Sequence, residues 1–313
     1  MKKFAVMMVS VVTAGVLLAG CGAASLGDKD SKSEAKVETK KPKDLKVGVS
    51  LSTLNNPFFV SVKDGITQLA TKNNTKTIVS DAQNDASKQS NDIDDLIQQK
   101  VDVILVNPVD SSAIQTAVEA ANEAKIPVIT IDRSSDGGKV LTLVASDNVK
   151  GGEMAAKFIV DKVGKSAKVV QLEGTPGASA TRERGKGFEK IAKTDLTLVK
   201  SQTADFDRAK GLTVMENMLQ SNSDIKAVFA QNDEMALGAV EALKAAGKTD
   251  VVVVGFDGND DGVKAVKEGK MAATVAQQPI EMGKISLQSA YDYFNGKKLD
   301  TKIDSPLELI QAK

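Results

Sequence analysis

The chain of 313 residues contains no histidine, no tryptophan and a single cysteine, Cys21. Without histidine, nucleophilic catalysis that depends on a histidine base is excluded, and so are histidine-ligated metal sites. A lone cysteine cannot form a disulfide within the chain. The formal net charge is zero at pH 7, so no basic surface for nucleic acid is indicated. The sequence therefore predicts no nucleic-acid partner, no cofactor and no resident metal.

The N-terminal segment has the pattern of a bacterial lipoprotein signal. Lys2 and Lys3 precede an apolar run over residues 4–18, and the only cysteine follows a small-residue cleavage site. This run is too short to span a bilayer as a mature helix. We predict a signal peptide over residues 1–20 and lipid attachment to Cys21, which would hold the exported protein on the outer face of the cytoplasmic membrane. An ordinary signal peptide with an incidental cysteine is the alternative.

Residues 21–44 form a predicted flexible linker behind the lipid anchor. They are mostly Ala, Ser, Gly, Lys, Asp and Glu, and such a segment buries too little apolar surface to fold. The remaining chain of about 270 residues suffices for two domains of ordinary size. It contains no later apolar run of the length that crosses a membrane.

From Leu45 onward, short apolar runs alternate with stretches that have apolar residues at helical spacing. The runs at 103–106 and 251–254 are apolar throughout, as expected for strands that helices cover on both faces. This alternation predicts an α/β fold with doubly wound parallel sheets. Periodicity alone leaves one sheet or two open, and the length favours two. The predicted strands lie at residues 45–51, 77–80, 101–106, 127–131, 140–144, 168–172, 227–230 and 251–255.

Polar and aromatic side chains follow these strands, at the sheet edge where ligands of such folds bind. Asn55, Asn56, Phe58 and Phe59 follow the first strand, where a helix opens at Pro57, and two adjacent phenylalanines cannot easily both be buried there. Flat rings beside amide and carboxylate groups suit a sugar. Helix capping explains single residues such as Asp110 or Asp233, but it does not explain the rings. The other residues that follow predicted strands in this way are Asn107, Asp132, Arg133, Gln231, Asn232, Phe256, Asp257 and Gln277.

Three local patterns suggest other chemistries. Asp132 and Asp257 could form a glycosidase pair, but Arg133 beside Asp132 should keep that carboxyl ionised. Residues 257–268 satisfy the calcium-loop pattern of EF-hands, but an apolar strand precedes them instead of a helix. We therefore expect a strand-to-helix turn there. The glycine-containing residues 174–178 lack the Gly-x-Gly-x-x-Gly spacing of nucleotide-binding folds, so we expect a plain tight turn.

Several longer motifs resemble the ribose-binding members of the type I periplasmic binding protein family, the substrate receptors of sugar ABC importers. The likeness extends from about residue 46 to the C-terminus, with motifs at 52–65, 127–133, 145–148, 204–208 and 229–235. It implies two α/β lobes joined by three crossovers near residues 146–147, 277–278 and 305–306. The N-terminal lobe would comprise residues 45–146 plus 278–305, and the C-terminal lobe residues 147–277 plus 306–313.

The resemblance also implies a function. The chain would capture D-ribose between two closing lobes and deliver it to an ABC permease with its ATPase; it would be a monomer and no enzyme, and a chemotaxis receptor is a further partner. Another sugar (allose, galactose or a furanosyl signal molecule) and a secreted sugar-acting enzyme stay open as alternatives. A sugar-responsive repressor would carry a DNA-binding segment where this chain has its secretion signal. The implied ligand residues are Asn56, Phe58, Phe59, Asn107, Asp132 and Arg133 from the first lobe, and Arg184, Phe206, Asn232, Phe256, Asp257 and Gln277 from the second.

Overall fold

The computed structural model describes residues 39–222 and 224–312. The predicted signal peptide, Cys21 and the linker up to residue 38 lie outside the described residues. The end of the predicted linker contacts the body of the protein. Pro42–Asp44 form one turn of 3-10 helix, and the carbonyl of Pro42 accepts a hydrogen bond from Thr75 Oγ1 at 3.0 Å. Lys40 donates to Asp102 Oδ1 at 2.8 Å, which fixes this segment beside the first strand.

The first sheet has six strands, all parallel, in the order β11-β5-β4-β3-β1-β2. Its central strands are buried along their whole length, which explains their continuous Val, Ile and Leu runs. The strands are β1 (Lys46–Leu51), β2 (Lys76–Asp81), β3 (Val103–Val106), β4 (Val128–Ile131), β5 (Thr142–Ser146) and β11 (Lys302–Ser305).

The second sheet repeats this arrangement in the order β12-β10-β9-β8-β6-β7, with only β12 antiparallel to its neighbour β10. Its strands are β6 (Lys168–Glu173), β7 (Thr197–Thr203), β8 (Ala227–Ala230), β9 (Val252–Asp257), β10 (Ala273–Ala276) and β12 (Glu308–Gln311). Two six-stranded sheets built from alternating strands and helices confirm the predicted two-lobe α/β fold.

Helices cover both faces of each sheet. On the first sheet, α1 and α9 pack on one face, and the apolar side chains of α2 and α3 cover the other. On the second, α4 and α5 pack on one face and α6, α7 and α8 on the other. No helix of residues 39–222 and 224–312 is long and apolar enough to cross a membrane. The helices are α1 (Pro57–Asn73), α2 (Ala86–Gln98), α3 (Gln115–Glu123), α4 (Asn148–Val163), α5 (Ser179–Asp195), α6 (Arg208–Ser221), α7 (Asp233–Ala245), α8 (Asp260–Lys267) and α9 (Pro279–Phe294).

Each sheet with its helices is called a lobe below. The chain passes from the first lobe to the second after β5, returns after β10, and passes over again between β11 and β12. Because the last two strands complete different sheets, the C-terminal residues belong to both lobes. The three passages are close together, because Ser305 pairs with Ser146 and Ala276 pairs with Glu308.

Four strands, β7, β10, β11 and β12, have no counterpart among the strands predicted from apolar runs. β10 is buried, and Thr274 interrupts its apolar run. β7, β11 and β12 all lie at sheet edges, and most of their residues are half-buried or exposed. An edge strand needs apolar side chains only where it meets a helix, so polar residues such as Lys200 and Asp304 interrupt its pattern. A continuous apolar run therefore finds most of the buried strands of this fold and misses these three edge strands.

Candidate functional site

The two lobes meet where the carboxyl ends of their strands face each other. The predicted ligand residues lie there, at the start of α1 and at the ends of β3 and β4 in the first lobe, and on α5, after β7 and around β8, β9 and β10 in the second. All of them are buried except Phe206, which is partly exposed. The lipidation candidate Cys21 lies outside the described residues.

Arg184 is the charged centre of this region. Its Nη1 lies 3.5 Å from Oδ1 of Asp257 in its own lobe, and its Nη2 lies 4.0 Å from Oδ1 of Asp132 in the other lobe. The guanidinium is 3.8 Å from the ring centroid of Phe256, and its Nε donates to Asn148 Oδ1 at 2.9 Å. Phe256 and Asn148 of its own lobe therefore fix the position of the Arg184 guanidinium, which forms ion pairs with one carboxylate from each lobe.

Arg133 forms a second contact between the lobes. Its guanidinium lies 5.1 Å from the ring centroid of Phe59 and 5.3 Å from that of Phe206, so it is stacked between one aromatic ring from each lobe. Nη1 donates to the carbonyl of Pro108 at 3.0 Å, and this hydrogen bond fixes the orientation of the guanidinium group. Its Nε is 3.7 Å from Asp132 Oδ2, close enough for an ion pair but too far for a hydrogen bond.

Several polar atoms in this region have no hydrogen-bond partner among the described residues. They are Oδ1 of Asp132, Nε of Arg133 and Oε1 of Gln277, all buried. Gln277 Nε2 donates to Asp257 Oδ1 at 2.9 Å, so one end of this amide is satisfied and the other is not. Buried polar atoms are nearly always paired, and a hydroxyl group can both donate to the two acceptors and accept from the arginine. The atoms fit a ligand with several hydroxyl groups.

A cavity of about 120 Å³ opens between the lobes beside Arg133. A larger depression of about 620 Å³ lies on the first lobe around Tyr293, far from the paired arginines and carboxylates, so size alone does not locate the site. The interlobe cavity is lined by Thr53, Asn55, Asn56, Phe59, Asn84, Arg133, Thr175, Asp205, Phe206, Asp207, Arg208 and Glu234.

The predicted asparagines also have structural hydrogen bonds. Asn107 is fully buried; its Oδ1 accepts from the backbone N–H of Ser52, and its Nδ2 donates to the carbonyl of Ile131. Asn232 is the N-cap of α7 and also donates to the carbonyl of Phe206 at 3.2 Å. Each amide retains a second N–H hydrogen. These residues align neighbouring strands and loops, whether or not they also contact a ligand.

The expectation that Phe58 and Phe59 cannot both be buried is wrong. Both rings belong to the core cluster of the first lobe, and they meet edge to face with their centroids 5.2 Å apart. They can both be buried because α1 begins at Pro57 and turns Phe58 into the core, while Arg133 covers the outer face of Phe59. Phe256 is likewise fully buried beneath Arg184.

Three of the predicted ligand residues have a positive φ angle. Asp132 and Phe206 have φ angles of 62° and 60°, in the left-handed region that side chains other than glycine rarely adopt. Asp257 has φ 113°, which is further from the allowed regions. Each such residue costs on the order of 1–3 kcal/mol, and surrounding structure must hold it in place. At these three positions the strained backbone carries two carboxylates and one ring of the candidate site.

Burial dominates the ionisation of the two carboxylates. It raises the pKa of Asp132 above its usual value, although the positive charges of Arg184 and Arg133 lower it in part. Burial likewise raises the pKa of Asp257 to about 7, against the lowering effect of Arg184 and Gln277. The expectation that Arg133 would prevent a rise in the pKa of Asp132 is therefore wrong, because loss of hydration outweighs the ion pair.

The calcium-loop pattern does not form a loop. β9 continues to Asp257 and α8 begins at Asp260, so the helix occupies most of the twelve residues. The acidic groups are engaged separately: Asp261 pairs with Arg208 at 2.9 Å and Glu268 with Lys270 at 2.7 Å. The segment is a strand-to-helix turn.

Asp233 is not the helix cap that sequence reasoning favoured, because the cap of α7 is Asn232. Its carboxylate is fully buried and accepts from the backbone N–H of Asn259 at 2.8 Å and from Thr274 Oγ1 at 2.7 Å. Burial, with the nearby charge of Asp257, raises the pKa of Asp233 well above its usual value. Asp110, by contrast, does accept from the backbone N–H groups of Ser112 and Ala113, as a turn-capping residue does.

Residues 47–298 match the model of the family described as "Periplasmic binding protein domain". The chain is 62% identical over 271 residues to the ribose import binding protein of Bacillus subtilis, covering 87% of this chain and 88% of that one. It is 49% identical over 265 residues to the ribose import binding protein of Escherichia coli, covering 84% and 90%. Among solved structures, it resembles an ABC transporter periplasmic solute binding protein from Actinobacillus succinogenes with bound D-allose, with a TM-score of 0.80, 31% identity and coverage of 85% of this chain and 97% of that one.

Proposed function

Because this chain belongs to the periplasmic binding protein family, we propose that it captures D-ribose between its two lobes and delivers the sugar to an ABC import permease with its ATPase. The observation that carries the proposal is the group of buried atoms on Asp132, Arg133 and Gln277 that have no hydrogen-bond partner in the described part of the chain and lie around the interlobe arginine pair. The 62% identity to a ribose import binding protein supports ribose as the sugar.

The proposed ligand residues divide into two roles. Asp132, Arg133, Arg184, Asp257 and Gln277 would exchange hydrogen bonds with the hydroxyl groups of the sugar. The rings at the site would exclude water and cover the apolar faces of the sugar, and the asparagines would add amide donors. A site in which every polar group has a partner rejects a sugar lacking one hydroxyl, because the buried group left without a partner costs about 1–3 kcal/mol. The rings are Phe58, Phe59, Phe206 and Phe256, and the asparagines are Asn56, Asn107 and Asn232.

We propose that binding closes the lobes by hinge motion at the three crossovers. The lobe boundaries would be residues 45–146 plus 278–305 and residues 147–277 plus 306–313. Ligand bridging both lobes shifts the equilibrium toward the closed form by its differential affinity. Small-angle scattering should show a smaller radius of gyration on adding D-ribose, and an unchanged radius would contradict the closure.

Isothermal titration calorimetry with D-ribose, D-allose, D-galactose and 2-deoxy-D-ribose tests the ligand. We expect the strongest binding for D-ribose and a loss of about tenfold or more for the deoxy sugar, since one hydroxyl fewer leaves a buried group unpaired. No heat with D-ribose but binding of another sugar would overturn the specificity and keep the sugar-receptor role. Conversion of D-ribose to a product in the same samples, followed by NMR, would overturn the non-enzymatic role.

We further propose that the mature protein is a monomer attached to the membrane through a lipid on Cys21, with a chemotaxis receptor as an additional partner of the closed form. The N-terminal pattern of two lysines, a short apolar run and the chain's only cysteine supports the lipid attachment. Metabolic labelling with a radioactive fatty acid should mark the wild type and leave Cys21→Ala unlabelled; label in both would contradict the anchor. Light scattering during gel filtration measures the oligomeric state. Pull-down with the sensor domain of a chemotaxis receptor, with and without D-ribose, tests that receptor as a partner.

A further inference from the structure

The turn between β6 and α5, a plain tight turn on sequence grounds, forms a further contact between the second lobe and the first. The carbonyl of Gly177 accepts from the backbone N–H of Ser111 at 3.0 Å. The backbone N–H of Ser179 donates to Ser111 Oγ at 3.1 Å, and Ser179 Oγ accepts from the backbone N–H of Ser134 at 2.9 Å. The side chains of Ser111 and Ser179 are buried, so these three hydrogen bonds form a shielded contact between the lobes.

An ion pair lies at the outer edge of this contact. Arg182 Nη2 is 2.8 Å from Asp136 Oδ1, and its Nη1 donates to the carbonyl of Gly177 in its own lobe. In the first lobe, the backbone N–H of Asp136 donates to the carbonyl of Ser111 at 2.7 Å. The two side chains of the pair are nearly half exposed, so the ion pair itself adds little, and the buried hydrogen bonds carry the contact.

The approach of the lobes at this point depends on the absence of a side chain at Gly177. A Cβ atom there would lie 1.7 Å from Asp110 Oδ2 and 2.4 Å from its Cγ, closer than any real contact. Asp110 cannot turn away freely, because its Oδ1 accepts two backbone hydrogen bonds at 2.8 Å. Gly177 is not among the residues with positive φ, so its φ angle does not exclude alanine. The obstacle to a side chain at this position is therefore the collision with Asp110 of the other lobe.

We propose that Gly177, Ser111 and Ser179 are positioning residues that set how closely the lobes approach, and that the size of residue 177 limits closure. The inference rests on the proposed function, since closure has a purpose only in a receptor that encloses its ligand. These residues lie outside the predicted ligand set, so they act on affinity through the closed conformation.

A double-mutant cycle on D-ribose binding, measured by calorimetry, tests this. Gly177→Ala should weaken binding by about tenfold or more, which corresponds to about 1.4 kcal/mol. Asp110→Ala removes Oδ2 and Cγ and leaves only Cβ, 3.2 Å from the new methyl group, so in that background Gly177→Ala should cost less than about threefold. Pro176→Ala, an exposed position in the same turn, is the matched control and should bind as the wild type does. Equal losses in the two backgrounds, or no loss in either, would overturn the proposal.

A second measurement separates this proposal from the identity of the ligand. Asp136→Cys and Arg182→Cys, in a Cys21→Ala background, place one thiol on each side of the contact for a short bismaleimide crosslinker. Without sugar, Gly177→Ala should slow crosslinking, and Asp110→Ala should restore it. Equal crosslinking rates with and without Gly177→Ala would overturn the proposal. The absence of heat with D-ribose in the wild type would instead overturn the proposed ligand.

Discussion

Replacing Asp132 by asparagine removes one buried charge from the centre of the proposed site and keeps its shape. Asp132 Oδ1 has no hydrogen-bond partner among the described residues, and Oδ2 is 3.7 Å from Arg133 Nε. A hydroxyl that donates to this carboxylate forms a charge-assisted hydrogen bond, and the amide would leave Arg133 and Arg184 with one counter-charge fewer. We expect a loss of about 2–4 kcal/mol of binding free energy, or about 30- to 1000-fold in affinity.

Calorimetry with D-ribose measures this loss, and Asp64→Asn provides the control. Asp64 lies in the same lobe, its side chain is half exposed, and its nearest ion-pair nitrogen is 3.9 Å away. The control should therefore bind as the wild type does. Binding by Asp132→Asn within about threefold of the wild type, with an unchanged free energy of unfolding, would refute the reasoning that this carboxylate meets a sugar hydroxyl.

Burial raises the pKa of Asp257 from 3.8 to about 7, so its contribution to folding stability is complete below pH 4 and lost as the pH rises through 7. Relative to Asp257→Asn, the free energy of unfolding of the wild type, measured with urea, should fall between about pH 4 and 7. The same pH dependence in both proteins would count against this. Gly174→Ala would place Cβ 2.0 Å from Cζ of Phe206, so unfolding free energy should drop by about 1–3 kcal/mol and D-ribose affinity should fall with it. Arg208→Ala should cost no more than about 1 kcal/mol in the same urea assay, because its bonds to Glu234 and Asp261 lie near the surface; a larger loss would show that the pair is worth more than its exposure suggests.

The fold could be predicted because its buried strands have continuous apolar runs and its helices have one apolar face. Strands 103–106 and 227–230 illustrate this, since every residue in both is buried. The edge strand Thr197–Thr203 could not be found in this way, because a strand with one open edge accommodates Lys200 and Ser201 without cost to the core.

The candidate site residues could be predicted from their positions after the strands and from the resemblance to a known family. The contacts between these residues could not be predicted from the sequence. Arg184 lies between Asp132 and Asp257, residues that the chain brings together only by folding both lobes, and no spacing in the sequence encodes those distances. The expectation that Arg133 keeps the pKa of Asp132 from rising is wrong for the same reason, because adjacency to Arg133 is visible in the sequence whereas complete burial is not.

The contact at Gly177 shows a further limit. A glycine in a turn predicts backbone freedom, and here the residue matters because another lobe occupies the space that a side chain would need. Asp233 is a similar case, since a carboxylate at a helix start predicts a cap and instead joins α7 to the loop after β9. In both cases the role follows from long-range packing.

A crystal structure of the protein grown with D-ribose tests the central claim most directly. We predict the sugar between the lobes, with its hydroxyl groups within hydrogen-bond distance of Asp132 Oδ1, Arg133 Nε and Gln277 Oε1, three buried atoms that have no partner within residues 39–222 and 224–312. Electron density for the sugar elsewhere on the surface, or between the lobes with these three atoms still unpaired, would contradict the account.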